Sequence, residues 1–169
     1  SGTNSQLSMT WESTTSDADP GAGKIAWNNA TIASATVLYV DDADDASADI
    51  TSYVQSWDDV SNTTARGIVT ITKEGTASTY AVFKVTGAVT DASGYTKVPV
   101  THVVSSGSFS DDDGVGVHFG YSGADGAGTS LSGTTNNTIA TVTGANALIG
   151  EANLTFDGTN LLVASTGKL

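Results

Sequence analysis

The sequence predicts an all-β protein in which an antiparallel β-sandwich or jelly-roll-like domain is followed by a trimeric, intertwined β shaft. Three observations support this prediction. Apolar and polar residues alternate through most of residues 9–121, which is the period of a strand with one buried face. Turn residues interrupt the alternation about every 8–12 positions, as they do in sandwich folds. After Ser122, the apolar segments are too short and too poor in large side chains to bury a core within one chain.

Composition argues against several classes of function. The 169 residues carry a formal net charge of −12, of which −10 lies in residues 1–122. Because this charge repels nucleic acids and anionic membrane surfaces, we expect the protein to bind neither. Cysteine is absent, so disulfides and thiolate chemistry are excluded. No apolar run approaches the roughly 20 residues that cross a bilayer, so we expect no membrane insertion. The sequence also shows no basic, apolar segment of the signal-peptide type.

The first predicted elements are short strands that follow a flexible N-terminus at residues 1–8. Alternating residues predict strands at 9–15, 25–27 and 36–40, and turn residues fill 17–23. Together with the later strands they make up the sandwich-like domain, residues 9–121.

One segment departs from the strand period. Four apolar residues have the spacing i, i+3, i+4 and i+7 of one helical face: Ile50, Tyr53, Val54 and Trp57. Asp49 precedes them, where its carboxylate can accept backbone N–H groups as an N-cap. The pattern predicts a short helix over residues 50–57, laid across a sheet.

The second half of the domain is predicted to be an antiparallel meander. Its strands are expected at 66–73, 79–86, 95–104 and 115–121, and its loops at 74–78, 91–94 and 108–114. His102 lies among valines on the inward side of its strand and is predicted to be a core residue, whereas His118 alternates outward. Two isolated histidines do not make a metal site.

Composition changes at Ser122, and two further segments are predicted. Residues 122–135 form a Gly-rich linker with a collagen-like remnant, because Gly120, Gly123 and Gly126 keep triplet spacing until Thr129 breaks it. Residues 136–169 form the trimeric shaft segment, with strands at 138–142, 146–149, 152–156 and 160–164. Six apolar residues are the predicted trimer core: Leu148, Ile149, Leu154, Phe156, Leu161 and Val163.

Three acidic clusters lie in predicted turns, at 41–45, 57–59 and 111–113. Calcium prefers several carboxylate and carbonyl oxygens on flexible loops, which makes Asp111, Asp112 and Asp113 the strongest metal candidates. The cluster does not follow the EF-hand pattern, because Ser122 stands where that pattern has a bidentate Glu. The alternative is that these are solvated turn residues whose carboxylates bond the local backbone. Calcium is the only cofactor that the sequence leaves open.

Aromatic residues are the candidates for carbohydrate binding, since a flat apolar ring suits the face of a pyranose. The residues selected are Tyr39, Tyr53 and Trp57, from a set that also includes Trp11, Trp27 and Tyr121. Trp27 and Trp57 fall on apolar stripes, so core packing is the alternative for both.

The sequence shows no catalytic constellation. It lacks cysteine, its two histidines are far apart, and it contains no Gly-x-Ser-x-Gly elbow. Paired carboxylates can cleave glycosides, but acidic loops alone do not identify such a pair. We therefore predict a protein without enzymatic activity.

Short motifs provide a further indication. They are Thr10-Trp11-Glu12, Asp19-Pro20-Gly21-Ala22-Gly23, Trp27-Asn28-Asn29-Ala30-Thr31, Tyr39-Val40-Asp41-Asp42-Ala43-Asp44, Trp57-Asp58-Asp59 and Gly107-Ser108-Phe109-Ser110-Asp111. With them, residues 9–128 resemble a family of phage tail-fibre proteins found especially in marine and environmental phages. Separately, residues 154–161 look like the strand-turn units that open many fibre shafts.

The resemblance implies a non-enzymatic structural protein of the virion. It implies a homotrimer that contacts other virion tail proteins and attaches to a host surface glycan or protein. Two alternatives remain open. The first is an extracellular bacterial adhesin or filament subunit, located at the cell surface. The second is a tailspike polysaccharide depolymerase.

Overall fold

The protein consists of two compact units. Its structure, a computed structural model, describes residues 6–123, 130–132, 138–144 and 147–163. The boundary between the units falls between Ala124 and Asp125, and we call them the barrel unit and the tail unit. Strands predominate in both, which confirms the all-β class.

The barrel unit contains eight strands and one α-helix. The strands are β1 (Leu7–Trp11), β2 (Lys24–Trp27), β3 (Val37–Asp41), β4 (Gly67–Lys73), β5 (Tyr80–Val85), β6 (Thr90–Asp91), β7 (Tyr95–Ser106) and β8 (Gly114–Tyr121). The helix α1 (Thr51–Gln55) continues into a 3-10 turn, Ser56–Asp58, and a further 3-10 turn lies at Ile32–Ser34. The predicted hairpin of β4 and β5 and the predicted helix near 50–57 are confirmed.

Seven of these strands close into a barrel, and the expected two-sheet sandwich or jelly roll is not confirmed. The order is β3-β2-β1-β8-β4-β5-β7, and β7 returns to pair with β3. Closure depends on the length of β7, whose 12 residues pair with β3 through Tyr95–Pro99 and with β5 through Val100–Ser106. One continuous strand therefore joins what would otherwise be two sheet edges, and closure removes those edges.

One strand pair differs from the predicted antiparallel arrangement. β1 and β2 are parallel, with Thr10 opposite Lys24 and Trp11 opposite Ile25. A parallel pair needs a connection of about a dozen residues, and residues 12–23 supply it. Residues 12–15, predicted to continue the first strand, belong to this connection instead.

The barrel interior is apolar and closed at both ends. Its fully buried residues include Met9, Ile25, Leu38, Val40, Val69, Ile71, Phe83, Val85, Val98 and Val115. Ile50, Val54 and Trp57 of the helical segment close one end. Trp11, Trp27 and Phe109 cluster at the other, with ring centroids 5.1–5.9 Å apart. The alternative interpretation of Trp27 and Trp57, core packing, agrees with this burial, and the selection of Trp57 as a carbohydrate candidate does not.

The tail unit is a small sheet built around one long strand. Its strands are β9 (Ser130–Ser132), β10 (Thr138–Gly144), β11 (Ala147–Phe156) and β12 (Leu161–Val163). β10 pairs along one edge of β11, while β9 and β12 pair with different parts of the other edge. The strands predicted at 146–149 and 152–156 are one continuous strand, because Gly150 remains in extended pairing opposite Ala140.

Two predictions at the segment boundaries change. Gly120 pairs with Ile68 inside β8, so the predicted triplet remnant begins within the barrel and not in a triple helix. β9 lies within the predicted linker 122–135, of which residues 124–129 and 133–135 are outside the described part of the chain. The N-terminal strand β1 includes Leu7 and Ser8, which were predicted to be flexible. Residues 1–5 of the predicted flexible segment are outside the described part of the chain.

Candidate functional sites

The acidic loop between β7 and β8 holds the three calcium candidates, and the structure sends their carboxylates to different partners. Asp111 Oδ1 accepts the backbone N–H of Ser13 at 2.9 Å. Asp112 Oδ1 lies 2.8 Å from Lys24 Nζ, and Asp113 Oδ2 lies 2.7 Å from Lys73 Nζ. The Lys73 ammonium is the main cause that lowers the pKa of Asp113. The three carboxylates therefore tie the loop to the connection between β1 and β2, to β2 and to β4.

Nothing in this loop gathers ligands for a metal. In the parts of the chain that the structure describes, no three His, Cys, Asp or Glu side chains are grouped so that they could hold an ion. We expect the melting temperature to be the same in saturating calcium as in chelator, since a ligand that binds only the native state would raise it. A calcium-dependent rise that Asp112→Asn abolishes would contradict this expectation and restore the calcium prediction.

In the other two acidic clusters three carboxylates bond the backbone, as the alternative interpretation proposes: Asp41, Asp44 and Asp58, whose Oδ2 accepts the N–H of Val89 at 2.9 Å. Asp41 Oδ1 accepts the N–H groups of Gly23 and Ala43, both at 2.9 Å. Asp44 Oδ1 accepts those of Ala46 and Ala48. Such bonds are the usual reason for aspartate in turns, and they explain Asp41, Asp44 and Asp58 without a ligand. Asp42 differs, because its Oδ1 is buried without a hydrogen-bond partner and burial raises its pKa.

An ion-pair network anchors the connection between β1 and β2. Lys24 Nζ lies 2.9 Å from Glu12 Oε2, in addition to its contact with Asp112. The bond from Lys24, helped by bonds from Thr14 and opposed by burial, lowers the pKa of Glu12 from 4.5 to about 2. Glu12 also lines a 170 Å³ pocket under the connection, together with Asp19 and Pro20.

This network predicts a loss of stability in acid. Because the folded pKa of Glu12 is below its unfolded value, the carboxylate contributes stability that is present above about pH 5 and lost as the pH falls towards 2. We expect Lys24→Met to lower the free energy of unfolding at neutral pH and to flatten its decline over that range. Urea titrations at several pH values measure this. Lys84→Met on β5 is the control, and an unchanged pH profile in Lys24→Met would contradict the assignment.

Two of the three carbohydrate candidates are buried. Trp57 is fully buried and stacks on Phe119, with ring centroids 4.7 Å apart and an interplanar angle of 15°. Tyr39 is buried on the outer wall of the barrel, edge-on to Tyr95. The connection covers this wall, because Asp17 accepts a hydrogen bond from the Tyr95 hydroxyl at 2.8 Å. Neither ring presents a face to solvent.

Tyr53 is exposed, and the structure places Tyr121 in the same aromatic cluster. Tyr53 lies edge-on to Trp57 at 5.9 Å, and Tyr121 lies edge-on to Phe119 at 4.8 Å. Both tyrosines are partly open to solvent, at 38% and 49%. We call Tyr53, Ser56 and Tyr121 the tyrosine platform, since the stacked Trp57–Phe119 pair supports it from below.

Sequence alternation predicts Tyr121 on the same inward face as Phe119. The structure instead exposes its ring, because Tyr121 is the last residue of β8 and lies opposite Gly67 at the barrel end. Strand period alone cannot show where the core stops, so this part of the platform was not recognisable from the sequence.

The predicted trimer-core residues lie on strands of the tail unit, and most are uncovered. Leu154 pairs with Val163 and Phe156 with Leu161, and cross-strand partners share one face of a sheet. Exposure is 48% for Phe156, 60% for Leu161 and 46% for Val163, while Leu154 is half-buried. We call these four residues the apolar face. Leu148 and Ile149 lie near the start of β11. Leu148 is half-buried, and Ile149 is 40% exposed.

The histidines have separate surroundings. His102 is half-buried, edge-on to Phe83, and its Nε2 lies 3.0 Å from Ser105 Oγ. His118 is exposed on the outside of β8. The structure does not bring the two histidines into a common site.

Comparison with protein-family models, with curated proteins and with solved structures finds no match to this chain. Within the described residues, no helix has the length and apolar character to span a lipid bilayer. Function therefore has to be argued from the geometry of the two units.

Proposed function

We propose that the protein is a non-enzymatic structural component of a phage tail fibre. In this proposal three chains associate through their tail units, and the barrel units are presented for attachment to the host surface. The observation that carries the proposal is the uncovered apolar face, together with the sequence resemblance. Exposed contiguous apolar surface on a small unit is typical of an interaction site.

Other copies of this chain are the occupants that best fit the apolar face. The described part of the tail unit has four strands and no helix, and within those residues nothing covers Phe156, Leu161 and Val163. Residues 123–169 carry only −2 of the net charge, whereas residues 1–122 carry −10. Copies can therefore approach through the tail with little electrostatic repulsion.

Apolar residues on both sides of the sheet favour three chains over two. Leu162, which is 51% exposed, pairs with Thr155 and therefore lies on the side opposite the apolar face. A two-fold pair of sheets covers one side of each sheet and leaves the other in water. In an intertwined trimer each chain has two neighbours, so both sides can be covered.

Trimerisation gives such a protein its mechanism of attachment. Three barrels on one axis raise the effective concentration of each contact, so weak binding to a surface receptor becomes strong avidity. Other virion tail proteins are the expected structural partners, and the virion is the expected location.

The adhesin and depolymerase alternatives make different demands. A secretion signal in the full gene favours a bacterial adhesin or filament subunit, whereas neighbouring tail genes oppose it. A depolymerase needs a pair of carboxyl groups with one raised pKa as the general acid. Glu12, which lines the 170 Å³ pocket, has its pKa lowered to about 2, which disfavours that role.

Native mass spectrometry of the whole chain tests the proposal. We expect the mass of three chains, persisting on dilution and in high salt because the contact is apolar. A monomer under all conditions overturns the fibre proposal. A stable dimer overturns the three-fold arrangement.

A further inference from the structure

We propose that the tyrosine platform binds a neutral hexose unit of a surface glycan. This inference rests on the proposed function in one respect, since it supplies the attachment contact that a fibre needs. The platform consists of the exposed rings of Tyr53 and Tyr121 and the Ser56 hydroxyl, at the end of the barrel where the helix lies. Each ring is held by the buried pair of Trp57 and Phe119, so little side-chain entropy is lost on binding.

The hydrogen bonds of the platform determine which atoms are available to a ligand. Ser56 Oγ donates its proton to the carbonyl oxygen of Tyr53 at 2.7 Å. Because a serine hydroxyl has only one proton, Tyr121 must donate its own to Ser56 Oγ, 2.5 Å away. The Tyr121 oxygen therefore keeps its acceptor capacity for a hydroxyl outside the protein.

Such a surface matches the chemistry of a pyranose. One face of a hexose carries axial C–H groups, which pack on an aromatic ring, and its edge carries hydroxyl groups that donate hydrogen bonds. Tyr53 and Tyr121 supply rings, and the Tyr121 oxygen supplies the acceptor. Tyrosine combines rigid apolar area with a polar tip, which is why it is common in recognition surfaces.

Charge selects a neutral sugar over an anionic one. The segment that contains the platform carries −10, which repels carboxylated or phosphorylated sugars. Arg66 is a nearby cation, but its guanidinium donates to the Asp58 carbonyl oxygen at 2.7 Å and is partly buried. This single guanidinium, bonded to a backbone carbonyl, does not offset the charge of −10 in the segment.

Saturation-transfer NMR on the whole chain tests the platform. The probes are neutral oligosaccharides of glucose, galactose, mannose and N-acetylglucosamine, with oligogalacturonate and choline as charged comparisons. We expect transfer to ring C–H protons of at least one neutral sugar. Tyr53→Ala and Tyr121→Ala should each weaken binding roughly tenfold or more, as loss of an aromatic anchor does. Tyr80→Ala, at the other end of the barrel, is the control and should keep the binding.

Four results would overturn the inference. They are no transfer from any neutral sugar, binding unchanged in both alanine variants, tighter binding of oligogalacturonate, and binding of choline alone. The native mass measured on the same samples separates this inference from the proposed function. Sugar binding by a monomeric chain would support the platform and overturn the fibre proposal. A trimer that binds none of the sugars would support the fibre proposal and overturn the platform.

Discussion

If the proposed trimer forms through the apolar face, Phe156→Asp is expected to separate its three chains into monomers. Phe156 is 48% exposed in the apolar face, beside Leu154 on its own strand and opposite Leu161 on β12. In a trimer the substitution would place three carboxylates in an apolar contact, where unpaired charge is strongly unfavourable. Sedimentation velocity should show the mass of one chain, and the melting transition of the barrel unit should be unchanged.

Thr159→Asp is the matched control for this substitution. Thr159 is exposed in the turn after β11, so it adds the same charge to the same unit without entering the apolar face. The control should remain trimeric. If Phe156→Asp also remains trimeric, the apolar face is not the contact between chains. Equal dissociation by both variants would instead indicate a general effect of charge on the tail unit.

Trp57→Ala is expected to be the most destabilising single substitution in the barrel unit. Trp57 is fully buried, stacked on Phe119, and closes one end of the core. Removing a large buried aromatic side chain costs about 3–5 kcal/mol, a large fraction of the roughly 5–15 kcal/mol that stabilises a typical domain. Urea unfolding followed by the remaining tryptophan fluorescence should show this loss.

Two further variants test whether the loss of stability comes from the buried aromatic contact. Trp57→Phe keeps an aromatic ring against Phe119 and should cost less than Trp57→Ala. Val104→Ala, at a position that is 45% exposed, should change stability by no more than about 0.5 kcal/mol. A loss below about 1 kcal/mol in Trp57→Ala would mean that the helical segment unfolds separately and does not seal the core.

The candidate sites show how far residue type can be interpreted without tertiary structure. Aspartates 111–113 have the composition of a calcium loop, but the loop faces Lys24 and Lys73, which are distant in the chain. The aromatic candidates separate according to burial, which leaves Tyr53 exposed and Trp57 covered. Residue type indicated which ligands each side chain could bind. Contacts with residues distant in the chain decided which side chains are left free to bind one.

Local pattern was sufficient for the elements whose cause is local. Alternation predicted β4, β5 and β8, because burial on one side of a strand requires period two. Helical spacing predicted the segment near residues 50–57. Its cap is displaced by one residue, since Ile50 is the N-cap and Asp49 Oδ1 accepts the N–H of Thr51 at 3.0 Å.

Tertiary structure alone decided the closure of the barrel, the parallel pairing of β1 with β2 and the exposure of Tyr121. Each depends on where a strand meets a partner far away in the chain: β7 meets both β3 and β5, and β2 lies beside β1 after a twelve-residue connection. The sequence by itself determined an all-β chain with a helical segment and an acidic region at residues 1–122. The spacing of apolar residues and the charge of a segment are local properties of the sequence. The pairing of strands depends on the free energy of the whole sheet, and no single segment specifies it.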